Sequence, residues 1–184
     1  MSSIRSVCVY CGSAEGSDPV HVKAARSLGG QLGKAGIKLV YGGGSTGLMG
    51  EVASAAVQAD GFVLGIIPQF LVDRERAHPG ISELMITADM HERKWAMFEH
   101  ADAFIALPGG IGTLEELVEI LTWAQLGRHR KSIIIANING FWDPLATLFE
   151  HMNTNGFLHS VDHFMPVFVE SVDDILPTLL AAKP

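Results

Sequence analysis

The chain of 184 residues carries 13 basic and 20 acidic side chains, a formal net charge of −7 with histidine neutral, and 48% of its residues are apolar. That apolar fraction excludes a disordered chain, and the acidic balance argues against a general nucleic-acid binder, which would present a basic face. The length suits one core, so a single domain over 1–184 is expected. No apolar stretch approaches the ~20 residues that cross a bilayer, and Met1 leads straight into a strand-like segment without a secretory signal. A cytoplasmic protein with no membrane partner is the expectation.

Apolar runs then alternate with helical patterns. Residues 4–10 read as a strand, 19–35 as a helix stopped by Gly36, and 37–41 as a second strand running into Gly42-Gly43-Gly44. A helix over 46–60 stops at Gly61, a third strand over 62–67 ends at Pro68, and 83–88 reads as the fourth. Asp89 suits the N-cap of a helix over 89–100. The fifth strand, 102–107, precedes Pro108-Gly109-Gly110 and a helix over 112–126. A sixth strand over 132–136, a helix over 144–155, a short last strand over 165–169 and a helix over 171–182 complete the pattern. Near-continuous apolar strands alternating with helices predict an α/β fold, a parallel sheet covered on both faces. The polar stretch 68–82 reads as a long loop of the kind that serves as a lid or binding loop.

Cys8 and Cys11 form a C-x-x-C. Redox pairs of this spacing open a helix, whose dipole lowers a thiol pKa. Here Cys8 lies inside a strand, where i and i+3 point to opposite faces, so the pair reads as small residues ending a buried strand.

Two glycine-rich turns follow strands and open helices: 41–50, Tyr-Gly-Gly-Gly-Ser-Thr-Gly-Leu-Met-Gly, and 107–116, Leu-Pro-Gly-Gly-Ile-Gly-Thr-Leu-Glu-Glu. Glycine lets backbone approach an anion closely, and a helix N-terminus aims N–H groups at it. Both turns are therefore expected to bind phosphate. Neither is a P-loop, since no Gly-Lys-Ser/Thr follows, and neither sits on the first strand, where a dinucleotide fingerprint belongs. A mononucleotide or sugar phosphate is the simpler ligand.

The second turn carries Glu115 and Glu116 in its first helical turn, and a carboxylate beside a bound phosphate suggests a chemical task. On a helical wheel Glu116 falls away from the Leu114–Leu117–Leu121 core stripe, on the side of Gly112 and Thr113. In the preceding helix, Arg93 and Lys94 are basic residues at the end where the dipole favours acids, which points to a bound anion or carboxylate. The eight histidines read as scattered, and neither a metal nor another cofactor is expected.

These residues carry a resemblance. Pro108-Gly109-Gly110-Ile111-Gly112-Thr113-Leu114-Glu115-Glu116 resembles the P-G-G-x-G-T-x-x-E signature of the Lonely Guy family, cytokinin riboside 5′-monophosphate phosphoribohydrolases that have also been labelled lysine decarboxylases. Met90-His91-Glu92-Arg93-Lys94 is similar to that family's M-H-x-R-K element, and the 41–50 turn to its first glycine motif. The similarity spans roughly residues 4 to 180. It implies a Rossmann-like, doubly wound fold that cleaves the N-glycosidic bond of a nucleoside 5′-monophosphate, AMP or an N6-modified AMP, to free base and ribose 5-phosphate. By the same resemblance Arg93 and Glu116 are the catalytic pair. Ser13, Gly43, Gly44, Glu75, Met90, Lys94, Gly109, Gly110, Ile111, Gly112, Thr113, Leu114, Glu115 and Thr122 are the positions expected to bind substrate.

The chemistry suits these types. Glycosidic cleavage passes through an oxocarbenium-like state that a carboxylate stabilises while orienting water. An arginine is no general acid at neutral pH, but it can grip a carboxylate, a hydroxyl or a phosphate. A decarboxylase would instead need a Schiff-base lysine in a pocket, and of the six lysines only Lys94 falls near the second turn. The alternative is a non-catalytic carrier of a phosphorylated cofactor, such as a molybdenum cofactor carrier, which would not need Glu116 and Arg93. A homodimer is expected as well, because the helix after Pro108-Gly109-Gly110 has an apolar surplus at Ile120 and Trp123 that a second copy would cover; the alternative is that Trp95 and Phe98 of the preceding helix cover it within one chain.

Overall fold

The computed structural model describes residues 4–72, 74, 76–158 and 165–181. Strands β1 (Ser6–Tyr10), β2 (Lys38–Tyr41), β3 (Val63–Pro68), β4 (Glu83–Thr87), β5 (Ala103–Ala106), β6 (Ile133–Ala136) and β7 (Val167–Val169) form one sheet. Every pairing is parallel, and the spatial order is β4-β3-β2-β1-β5-β6-β7. Helices α1 (Pro19–Lys34), α2 (Gly47–Gln58), α3 (Met90–Glu99), α4 (Ile111–Gln125), α5 (Asp143–Thr154) and α6 (Ile175–Ala181) cover it. This is the expected α/β, Rossmann-like, doubly wound arrangement. The helix expected over 171–182 is instead a short 3-10 turn, Val172–Asp174, followed by α6, with the Ser171 hydroxyl accepting from Asp173 N.

Strand alternation divides the core. Val7, Val9 and Cys11 pack on the face carrying α1, α2 and α6, while Cys8 and Tyr10 pack on the face carrying α3, α4 and α5. From β1 the chain builds outward to β2, β3 and β4; α3 then carries it back past β1 to β5. Because parallel crossovers are right-handed, reversing direction along the sheet moves the helices to the other face. The reversal leaves a crevice at the carboxyl ends of β1 and β5. Fully buried Tyr41, Phe104, Leu28 and Met97 fill the two layers, each large apolar side chain contributing about 1.5–3 kcal/mol on burial.

The four helices that open near that crevice end differently. Asp18 caps α1 by accepting from Val20 N at 2.9 Å. Asp89 caps α3 by accepting from Glu92 N at 2.9 Å, and Glu92 accepts in return from Ala88 N at 2.6 Å, a reciprocal capping box. The first N–H groups of α2 are met by backbone: Leu48 N donates to Ala14 O at 3.4 Å and Met49 N to Gly12 O at 3.2 Å. Helix α4 starts on Gly110 with no side-chain cap.

Both cysteines are free and buried, on opposite faces of β1. Burial, reinforced by the Glu116 charge, raises both thiols above their ordinary range, so they are neutral packing groups as their strand position suggested. Among the described residues no helix is long and apolar enough to cross a membrane.

His129, after α4, ties that helix to β6. Its Nε2 donates to Ile120 O at 2.9 Å and its Nδ1 accepts from Lys131 N at 3.1 Å, while the ring packs on Phe98 and Phe104. This pattern requires the neutral ring, and burial holds its pKa below the ordinary value. His78, whose Nδ1 accepts from Gly80 N, is lowered by burial as well. An unfolded histidine protonates near pH ~6.5, so the stability from these rings is full above that value and is lost as pH falls through the lower folded-state values. The melting temperature is therefore expected to fall by a few degrees between about pH 7 and about pH 5, and His129→Gln should flatten that fall while lowering the plateau. A melting temperature independent of pH over that window in the wild type would contradict the assignment.

Candidate active site

The crevice at the reversal point is a cleft of about 310 Å³. One wall is the end of β1 and the turn after it, Tyr10 to Ser13; the opposite wall is the opening of α4, Gly110 to Thr113 with Glu115 and Glu116. Met90, Arg93 and Met97 enter from α3, Met49 from α2, and Gly42 and Leu71 close the remaining side. The two walls are stitched by backbone, Leu107 N donating to Tyr10 O at 2.9 Å and Gly12 N to Pro108 O at 3.1 Å.

Arg93 is 5% exposed although it stands on a surface helix. Its Nε donates to Ile66 O at 3.0 Å and its Nη2 to Gly42 O at 2.9 Å, both strand-end carbonyls, and Nη1 reaches Met90 Sδ at 3.8 Å. A buried guanidinium is tolerated only when its donors are met, and these carbonyls meet two of them. Glu116 is half-buried on the facing wall. Its negative charge raises the pKa of Tyr10 and Cys11, which places it at the end of β1, and Arg93 acts on Cys8 with the opposite sign. Both expected catalytic residues thus line one cleft.

Lys94 points elsewhere. Its Nζ lies 2.6 Å from Glu115 Oε1 and 3.1 Å from Glu119 Oε2, bridging α3 to α4. These contacts outweigh its partial burial and hold the ammonium above its ordinary pKa. A lysine so protonated is poorly suited to form a Schiff base.

The two glycine turns differ in kind. In the first, a Cβ at Gly47 would run into the Ser13 backbone and one at Gly50 into the Ser45 carbonyl. Gly43 sits at φ +80°, packed against Ile67, and its carbonyl accepts from His78 N at 3.0 Å, while Gly44 pairs with Ala77. With α2 already engaged by the Gly12 and Ala14 carbonyls, this turn is explained by packing, and Gly43 and Gly44 do not line the cleft. In the second, Gly109 carries the packing: a Cβ there would collide with Thr113 Oγ1 and stand 2.9 Å from Gly12 N. Gly110 has nothing within 4 Å of such an atom and opens directly on the cleft.

Of the residues expected to bind substrate, the cleft gathers Ser13, Met90, Gly110, Ile111, Gly112, Thr113 and Glu115. It omits Gly43, Gly44, Lys94, Gly109, Leu114 and Thr122, and Glu75 lies outside the described residues. Thr122 is on the fourth turn of α4, about 18 Å along the axis from Gly110 at ~1.5 Å per residue. The sequence reading did not include Val9, Tyr10, Cys11, Gly12, Gly42, Met49, Leu71 and Met97 among the site residues. The position of residues 9–12 at the end of the first strand was the available signal; the others come from separate elements and share no local pattern. His159 and His163 stand four residues apart, a spacing the reading of scattered histidines passed over, and both lie outside the described residues. Among the described residues no group of three metal-ligating side chains converges.

Residues 49–179 match the family model described as "Possible lysine decarboxylase". The cytokinin riboside 5′-monophosphate phosphoribohydrolase LOG7 of Arabidopsis thaliana is 43% identical over 183 residues, 100% of this chain and 84% of its own length. The chain belongs to the Lonely Guy family. The rice enzyme of the same name, LOG of Oryza sativa subsp. japonica, is 48% identical over 157 residues, 85% of this chain and 65% of its own. Solved structures of similar fold include a molybdenum cofactor binding protein of Rippkaea orientalis, TM-score 0.71 at 20% identity, covering 97% of both chains. The Moco carrier protein of Chlamydomonas reinhardtii aligns with TM-score 0.71 at 18% identity over 96% of this chain and 98% of its own. At such identity these last two share the fold alone.

The contrast between the adjacent glycines is measurable. Gly109→Ala is expected to destabilise the protein by about 1–3 kcal/mol through overpacking, whereas Gly110→Ala should stay within about 0.5 kcal/mol. Denaturant titration of the two variants checks this, and equal losses would overturn the packing assignment.

Proposed function

We propose that the protein hydrolyses the N-glycosidic bond of a nucleoside 5′-monophosphate, AMP or an N6-modified AMP, releasing the base and ribose 5-phosphate. The observation that carries this is the meeting of Glu116 and the anchored Arg93 in one cleft beside the uncapped start of α4. The relatives named phosphoribohydrolases support the same reading. The 5′-phosphate sits against the N-terminal turn of α4, where the helix dipole and glycine backbone favour an anion. That places the ribose toward Glu116 and the base toward Met49, Met90, Met97 and Leu71.

As the bond from C1′ to the base breaks, positive charge grows on the sugar and the Glu116 carboxylate stabilises it. Water adds to C1′, passing a proton to Glu116, and the departing base takes up a proton, so that one water is consumed per turnover. Arg93 contributes a fixed positive charge at the cleft wall. A passive carrier of a phosphorylated cofactor has no use for a carboxylate beside the phosphate, which repels it.

Glu116→Gln is expected to lower turnover by on the order of 10²-fold or more while leaving AMP binding largely intact, since it removes transition-state rather than ground-state stabilisation. Chromatography of free adenine after incubation with AMP, with calorimetry for binding, measures both quantities. A variant that releases adenine at the wild-type rate would overturn the mechanism.

We further propose a homodimer, on a face other than the one the sequence suggested. Ile120 is 2% exposed, and Trp123 is covered within the chain by Trp95 and Phe98 at ring separations of 5.8 and 5.2 Å. The outward stripe of α4 is instead Ile111, Val118 and Leu126, exposed by 81%, 42% and 70%, with Thr122 between them. A two-fold pairing of this stripe would run the two α4 helices antiparallel and bring Thr122 toward the other copy's α4 opening. Light scattering is expected to give twice the chain mass for the wild type and the chain mass for Val118→Asp. A monomeric wild type at micromolar concentration would end this reading.

A further inference from the structure

Gly42, at the carboxyl end of β2, belongs to the glycine run whose sequence pattern suggested phosphate binding. Its backbone imposes no demand for glycine, since it is not among the glycines at positive φ. What its missing side chain leaves room for is Arg93. A Cβ there would collide with Nη2, stand 3.5 Å from Cζ and 3.0 Å from Met49 Sδ. The Gly42 carbonyl also accepts from that same Nη2 at 2.9 Å, while Ile66 O accepts from Nε at 3.0 Å. The residue supplies both the space for the guanidinium and an acceptor that helps to fix its plane.

We propose that Gly42 is a positioning residue: by lacking a side chain it sets the orientation of Arg93 in the cleft and acts on the chemical step through it. This rests on the hydrolase reading above. The neighbouring glycines show why the effect is separable from folding. At Gly47 and Gly50 an added Cβ would meet backbone, which cannot yield without moving the turn. At Gly42 it meets the far ends of two side chains, which can. The methyl group of Gly42→Ala is accommodated by swinging the guanidinium off the Gly42 carbonyl, so the fold survives and the geometry of the site does not.

The test is a cycle of Gly42→Ala, Arg93→Ala and the double variant, following kcat and KM for base release from AMP together with melting temperature. Gly42→Ala is expected to stay folded, to melt a few degrees lower, to keep KM within about threefold and to lose on the order of 10²-fold in kcat, the scale of a misplacement of about 1 Å. In the Arg93→Ala background the same methyl should change kcat by less than about twofold and lower the melting temperature far less than it does with Arg93 present, because only the flexible Met49 thioether is left to meet it. A Gly42→Ala enzyme with wild-type kcat, or an equal loss in both backgrounds, overturns the proposal. If Gly42→Ala alone fails to fold, a folded double variant supports the proposal and an unfolded one overturns it. A wild type that releases no base from AMP or from an N6-modified AMP removes the hydrolase reading instead. The collision with Arg93 is then still decided by whether the methyl lowers the melting temperature far more when Arg93 is present.

Discussion

The arrangement depends on the reversal of winding between β1 and β5. A parallel sheet whose strands are all added in one direction keeps its helices on one face and leaves its carboxyl edge closed by successive turns. Here the chain extends from β1 to β4, returns, and extends again from β5 to β7, so the turns after β1 and β5 diverge to opposite faces. The gap between them is the cleft, and each functional feature is fixed by where it stands relative to that gap. Helix α4 opens at it because it follows β5. Helix α3 crosses it because it is the return connection, and Arg93 therefore lies over the ends of β2 and β3 rather than over its own strand.

Within this frame the two glycine turns divide the work. Helix α2 spends its first N–H groups on the turn after β1, and the glycines of the turn that opens it let α2, the turn after β1 and residues 76–78 approach closely. Helix α4 starts at an exposed glycine without a side-chain cap, and its dipole is directed into the cleft. One glycine-rich helix start is built into the protein and the other opens on the cleft. The same backbone chemistry serves both, and what separates them is whether a neighbouring carbonyl or a crevice faces the first turn.

The charges are arranged with similar economy. Lys94, adjacent to Arg93 in sequence, turns away to bind Glu115 and Glu119 and joins α3 to α4 near the cleft. Arg93 turns inward, where the Ile66 and Gly42 carbonyls accept from its Nε and Nη2 and hold the guanidinium at the cleft wall. The thiols and the Tyr10 phenol of β1 and the turn after it are held neutral by burial and by Glu116, so they add no negative charge beside that carboxylate.

Much was determined by sequence alone. The period of the apolar residues and the turn glycines marked all seven strands; the five inner ones are buried on both faces and so apolar nearly throughout, while the edge strands β4 and β7 are apolar runs that stay largely exposed. The P-G-G-x-G-T-x-x-E element and Arg93 of the Arg-Lys pair marked two of the elements that line the cleft, since each signal is local in the chain. What the tertiary structure decided was which local motif meets which. No spacing rule links Gly42 to Arg93, 51 residues apart, or shows that the α2 start is occupied and the α4 start open. Nor could a helical wheel choose between a second copy and the neighbouring Trp95 and Phe98 as the cover of Trp123, or tell that Val118 and Leu126 stay outside, because burial depends on the neighbouring helix and not on the helix itself. Periodicity reports which residues avoid water; only packing of separate segments decides what they avoid it against.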